Sequence, residues 1–142
     1  MKKNLLLFLL ITILLFTLSA CSKEGINIEE HEWKMRYAMT AEDGGVVYVA
    51  EKEGNAYPRA EIIDVTLVAK NGKIMITDAT NDKTYHGTYF VENKTSSGIN
   101  YKVMIDGKEG YATVSVTTHA DGTEEPTLPI RINEYSLYFY IE

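Results

Sequence analysis

The chain from about residue 31 onward reads as an all-β domain: an antiparallel up-and-down meander of about eight or nine strands, closing as a small barrel or folding over as a sandwich. Three observations predict it. Apolar residues recur at period two from Trp33 to the end of the chain, the spacing of half-buried strands. The turn pairs Asn71-Gly72, Asp106-Gly107 and Asp121-Gly122 break these runs at short intervals. Beyond the N-terminal leader, no stretch carries a helical stripe.

The chain opens on Met1-Lys2-Lys3, continues as an apolar run from Leu5 to Leu18 interrupted only by Thr12 and Thr17, and reaches Leu18-Ser19-Ala20-Cys21. A charged start, an apolar middle and small residues before a cut are the parts of an export signal. The run is shorter than the roughly 20 residues of a membrane-crossing helix, which argues against a retained span. Leu18-Ser19-Ala20-Cys21 resembles the lipobox of bacterial lipoproteins. That resemblance implies that residues 1–20 are removed as a signal peptide and that the Cys21 thiol receives a diacylglyceryl group. The mature protein is then expected on the outer face of the cytoplasmic membrane, or on the outer membrane of a cell that has two. Two acyl chains suffice for stable anchoring, since each buried methylene contributes about 0.8 kcal/mol and one chain binds only marginally. Residues 21–30 become the lipidated cysteine and a polar, flexible tether, and 31–142 a single domain.

Cleavage before Cys21 leaves 122 residues, enough for one domain with its own core. Cys21 is the only cysteine, so a lipidated chain has no disulfide and depends on apolar burial and sheet pairing. Loss of Lys2 and Lys3 takes the formal charge from −6 to −8 and leaves no basic cluster. Nucleic-acid affinity rests on Lys and Arg neutralising phosphates, so nucleic acid is excluded as a partner. The same acidity argues against flat docking on an anionic membrane surface.

Trp33, Met35, Tyr37 and Met39 alternate with Lys34, Arg36, Ala38 and Thr40, giving a half-buried first strand. Asp43-Gly44-Gly45 turns the chain into a short second strand, Val46 to Ala50, and residues 51–58 form a polar, irregular link. Ile63, Val65, Leu67 and Ala69 line one face of a third strand. The later hairpins can be placed in register, because a one-residue slip would turn a strand's apolar face outward. A two-residue type I′ turn at Asn71-Gly72 sets Ile74 opposite Ala69 and Ile76 opposite Leu67. A second at Asp106-Gly107 sets Tyr101 opposite Ala112 and Ile99 opposite Val114. At Asp121-Gly122 parity selects a three-residue loop, Ala120-Asp121-Gly122, with Gly122 left-handed, so that Val114 meets Leu128 and Ala112 meets Ile130. A tight turn at Asn133-Glu134 places Ile130 opposite Leu137 and Leu128 opposite Phe139. Between these hairpins, Thr84 to Val91 is a further strand whose inward face stays ambiguous: Tyr85, Tyr89 and Val91, or His86, Thr88 and Phe90. Pro126 and Pro129 cannot donate to a ladder, so the strand from Thr127 to Ile132 is expected to be bulged or partly an edge.

A tryptophan in the first strand followed by a meander of short strands is similar to the lipocalin-like domains of small bacterial lipoproteins. Lipocalins carry Gly-x-Trp at this strand; here the matching positions are His31-Glu32-Trp33. The resemblance implies a small barrel with Trp33 as a plug at one end.

Catalytic signals are weak. His31, His86 and His119 are too far apart for a metal motif, and the segment from Asp78 to Asp82 lacks the glycine and closing glutamate of a calcium loop. There is no Gly-x-Ser-x-Gly, and the one cysteine is the lipid site. The expectation is a domain without cofactor, metal or catalytic residues. Tyrosine is the unusual feature: ten, all beyond the leader. The registers above place Lys102, Tyr111, Arg131 and Ser136 in one outward row, with Tyr138 in the next and Tyr140 continuing that face. Tyrosine and arginine are enriched at interfaces, whereas cross-strand tyrosines can equally serve to stabilise a wet sheet face. The leading reading is therefore a lipid-anchored, non-enzymatic interaction domain whose face of Lys102, Tyr111, Arg131, Tyr138 and Tyr140, or whose loop rim, engages an envelope protein or a glycan. The alternative is a lipocalin-like carrier of a small apolar ligand in the barrel interior, and a hydrolase comes third.

Overall fold

The structure is a computed structural model that describes residues 26–141; the leader and Cys21 lie outside the described residues. Ten strands follow one another: β1 (Trp33–Thr40), β2 (Val46–Val49), β3 (Glu61–Ile62), β4 (Val65–Lys70), β5 (Lys73–Asp78), β6 (Lys83–Thr95), β7 (Gly98–Ile105), β8 (Lys108–Thr118), β9 (Glu124–Ile132) and β10 (Tyr135–Tyr140). From β4 to β10 each strand pairs antiparallel with the next, and β1 pairs with both β4 and β10. Eight strands thus close into a barrel and no open sandwich edge remains among them. The two extra strands hang from β1: β2 lies antiparallel beside its second half, and β3 pairs with β2 in parallel.

The turns set the registers by their backbone requirements. Asn71 and Gly72 (φ 51° and 74°) and Asp106 and Gly107 (φ 47° and 76°) are left-handed at both central positions, as type I′ hairpins demand. They set Ala69 opposite Ile74 and Tyr101 opposite Ala112. At the β8–β9 hairpin His119 and Thr123 bracket a three-residue loop, Gly122 sits at φ 83°, and Ala112 faces Ile130. Leu137 faces Ile130 and Phe139 faces Leu128 across β9 and β10. The ambiguity in β6 resolves with Tyr85 and Tyr89 half-buried toward the interior and His86, Thr88 and Phe90 exposed, but Val91, expected with the first two, is exposed as well.

Three expectations are corrected. The alternation in β1 breaks, because the pairing with β10 passes from Met35 opposite Phe139 to Tyr37 opposite Tyr138. Arg36 is the extra residue of a β-bulge, which reverses the facing of everything after it. Ala38, not Tyr37, is fully buried, and Met39 is half-buried. Secondly, β9 is neither bulged nor an edge: it pairs on both sides in constant register, and its ladder to β8 is only interrupted at Leu128 and Pro129. Thirdly, the flexible tether does not reach residue 30. Ile28 is fully buried, its N–H donates to the Tyr101 hydroxyl (3.2 Å), and the Trp33 indole N–H donates to its carbonyl (2.9 Å). The Tyr89 hydroxyl adds a hydrogen bond to the Glu29 carboxylate. That bond and the backbone N–H groups of Gly72 and Asn71 hold the Glu29 carboxyl below its usual range.

Residues 26–30 therefore close one end of the barrel, together with Trp33. It is the end of the 71–72, 96–97 and 119–123 turns, since successive antiparallel strands alternate the end at which they turn. Above this seal the interior is packed by Trp33, Leu67, Ile74, Tyr101, Val103, Leu128, Ile130 and Phe139.

Candidate binding site at the barrel mouth

The opposite end is crowned by the turns at 79–82, 106–107 and 133–134, and there the packing stops. Three positions thin the interior. The bulge at Arg36 brings Ala38, rather than a longer side chain, to face inward from β1. Gly87 and Gly110 stand opposite Ile105 and Ile132 on neighbouring strands. A Cβ at Gly87 would come 2.3 Å from the Met104 carbonyl oxygen, and one at Gly110 would come 2.5 Å from that of Arg131. The strands therefore approach too closely there for any side chain.

What remains is an open-mouthed cavity of about 540 Å³, inside the 300–1,000 Å³ range of small-molecule sites. Its wall is apolar: Met35, Ala38, Ile63, Val65, Ile76, Ile105 and Leu137. Its rim is polar and aromatic, with Tyr48, Tyr85 and Tyr135 beside Glu61, Lys83, Asp106, Lys108 and Glu134. The Tyr48 and Tyr135 rings lie 6.3 Å apart, and the adjacent Glu134 charge pushes the Tyr135 phenol up. Asp78 is buried within this rim, and both of its oxygens are taken: one by the Asn81 backbone N–H (3.0 Å), the other by the Asn81 side-chain amide (2.9 Å). It fixes the 79–82 turn, and the Asp106 carboxylate fixes β6 in the same way by accepting from the His86 N–H (3.2 Å). The rim is thus held open by short, internally bonded turns.

A second hollow, about 420 Å³, lies on the barrel flank where the bulge of β1 leaves β4 and meets β2 and β3; Lys34, Arg36, Lys52, Asp64 and Tyr140 are among its lining. Arg36 is committed there to structure. Its guanidinium forks onto Glu125 (2.5 and 3.2 Å), lies 3.7 Å from Glu53, and covers the Tyr140 ring at 3.7 Å. The hydrogen bond from Arg36 holds the Glu125 carboxyl below its usual range.

The outer face places the residues singled out in the sequence as follows. Lys102, Tyr111, Arg131 and Ser136 do form one cross-strand row, and Phe90 extends it on β6. Tyr111 is 55 % and Phe90 60 % exposed, Arg131 is exposed, and half-buried Lys102 reaches Glu109 (3.4 Å). Tyr138 and Tyr140 are half-buried on the same side, packed into a cluster: Tyr138 stacks on Tyr37 at 4.7 Å, with Tyr140 beside them. Burial pushes the Tyr37 phenol up, and its hydrogen bond with Tyr140 adds to the effect. The histidines serve separate neighbours: His31 meets Trp33 edge-on, His86 pairs across β5 and β6, and His119 bonds to Glu125 (3.1 Å). Among the described residues no three of His, Cys, Asp and Glu converge on a metal-sized site. The lining of the mouth is what residue-by-residue reading missed; the glycine pair was visible in the sequence, but the bulge that admits Ala38 was not. No protein-family model, no curated protein and no solved structure matches this chain.

Proposed function

We propose that this is a lipid-anchored protein of the bacterial envelope that binds a small, largely apolar ligand in the mouth of its barrel, without catalysis. The anchor rests on Leu18-Ser19-Ala20-Cys21 and the leader before it. The ligand reading rests on one observation, the apolar-walled cavity of about 540 Å³ at one barrel end. Half of the outer-face alternative is weakened by the clustering of Tyr138 and Tyr140, since rings stacked against Tyr37 spend their surface within the fold. A protein or glycan surface survives as a second reading for the row of exposed Phe90, Tyr111 and Arg131 with half-buried Lys102 among them.

The test is titration of the mature chain, begun at Ser22 so that it carries no lipid, with the neutral fluorophore N-phenyl-1-naphthylamine. The expected result is saturable binding, weakened at least about tenfold by Leu137→Trp, which fills the mouth from a half-buried position. Tyr111→Ala and Arg131→Ala should leave it unchanged. No saturable binding, or equal loss in the outer-face variants, would remove the reading.

A further inference from the structure

We infer that the mouth takes a compact amphiphile from the water of the envelope, and not a lipid from the bilayer. The inference rests on the anchor and the mouth proposed above, and it adds the class of ligand and the side from which it comes. Three features carry it: the two ends of the barrel, the length of chain before it, and the depth of the cavity.

The chain enters the barrel at the sealed end. Ile28 is bonded there to Trp33 and Tyr101, and Glu29 to Tyr89. The mouth is built by turns at the other end. Cys21 precedes Ile26 by five residues, and at no more than about 3.4 Å each these reach about 17 Å. Strand β7 has eight residues, so at about 3.3 Å each and a tilt near 40° the barrel wall stands about 20 Å tall. The anchor is therefore too short to fold back along the wall and bring the bilayer to the mouth. Acyl chains at Cys21 hold the sealed end toward the membrane and leave the mouth facing water.

Depth gives the size of the guest. The residues beneath the cavity, Trp33, Ile74, Val103, Ile130 and Phe139, are buried core and do not line it, whereas Met35, Ile76, Ile105, Ile132 and Leu137, two positions nearer the mouth on the same strands, do. The cavity is thus one to two inward layers deep, about 10 Å along the wall at about 6.6 Å per layer before tilt. One acyl chain of a bilayer lipid spans about half of a 30 Å hydrocarbon core, so about 15 Å. A single such chain would already be too long, and a diacyl lipid brings two. A compact ring or short-chain compound fits, its apolar body against Ala38, Ile76 and Leu137 and its polar group among Tyr48, Tyr135 and the charged rim.

Because Cys21 is the only cysteine and its thiol is blocked by lipid, a second cysteine can carry a single fluorophore in the full lipidated protein. Glu134→Cys labels the mouth and Ser96→Cys the sealed end, each reconstituted in phosphatidylcholine vesicles bearing doxyl groups on their acyl chains. The expected result is at least threefold stronger doxyl quenching at position 96 than at 134, with iodide from the water quenching position 134. Equal or stronger doxyl quenching at 134 would overturn the inference, because either the mouth lies on the bilayer or lipid chains enter it. So would protein that fails to float with the vesicles, since the anchor would then be absent. Added N-phenyl-1-naphthylamine should shield the label at 134 from iodide. If orientation holds but no shielding occurs, the ligand site itself is overturned and only the orientation stands.

Discussion

Replacing Ile28 by alanine separates a sealed barrel end from a loose tether. The Ile28 side chain is 0 % exposed and packs in the core, although it lies within the first described residues of the chain. Truncating a buried Ile to Ala costs about 2–5 kcal/mol, the transfer term plus the cavity left behind. The bonds to Tyr101 and Trp33 use the Ile28 main chain, so the variant can keep them and the loss belongs to the side chain. An upper limit applies: residues 26–32 can peel off as a unit, and the loss then saturates at the free energy holding that segment down. The expected loss is about 2–4 kcal/mol, or roughly 8–16 °C at about 4 °C per kcal/mol for a domain near this size. Urea denaturation of the lipid-free mature chain measures it, read against Ile26→Ala, whose side chain is only half-buried. A loss below about 0.5 kcal/mol, the scale of a surface substitution, would refute the seal and return residues 26–30 to the tether.

Gly122→Val should cost roughly 1–2 kcal/mol through backbone conformation alone, since Gly122 sits at φ 83° with nothing within 4 Å of an added Cβ; thermal denaturation checks it, and a neutral result would contradict the three-residue loop. Gly110→Ala should be worse than an alanine at Gly122, because its Cβ would meet the Arg131 carbonyl oxygen at 2.5 Å; a melting temperature within a degree or so of wild type would mean that β8 and β9 can separate there at little cost. On acidification stability should fall. The Arg36 hydrogen bond holds the Glu125 carboxyl below its ordinary value of 4.5, so its contribution is present above that value and is lost as pH drops through the lowered one. Urea midpoints at about pH 6 and about pH 3 should converge partly in Glu125→Gln; an unchanged pH dependence would show that the other depressed carboxylates, Glu29, Asp43 and Asp121, carry the effect.

Most of the barrel was legible because turn chemistry and parity are local. Asn-Gly and Asp-Gly pairs announce left-handed turns, and once the loop length is known, alternation leaves one register that buries both faces. The outward row of Lys102, Tyr111 and Arg131 followed from the same arithmetic. Closure into a small barrel was anticipated, with a sandwich as the alternative; the bulge at Arg36 and the seal at Ile28 were not legible, and for one shared reason. Each depends on a partner far along the chain: Phe139 and Tyr138 for the bulge, Tyr101 for the seal. In sequence, Arg36 is an outward residue in an unbroken alternation, and Ile26 and Ile28 are two isoleucines in an acidic stretch. The mouth inherits this blindness, since its width depends on the side to which Ala38 turns after the bulge.

The seam between β1 and β10 has a consequence for how the molecule comes into being. Lys34 through Thr40 find their partners at Tyr140 through Tyr135, about 100 residues further along. During synthesis the first strand of the ring therefore waits for about a hundred further residues before its matching strand exists. Until then β1 and β9 both present open edges of the kind that invite pairing between chains. Closing a loop of that size is slow beside hairpin formation, so the hairpins from β4 to β10 can assemble first and the ring shut last. A ring of β1 and β4–β9 that has yet to receive β10 thus carries two sticky borders on an otherwise assembled wall, and the β10 strand that covers both at once is as much a guard against other chains as a part of the fold.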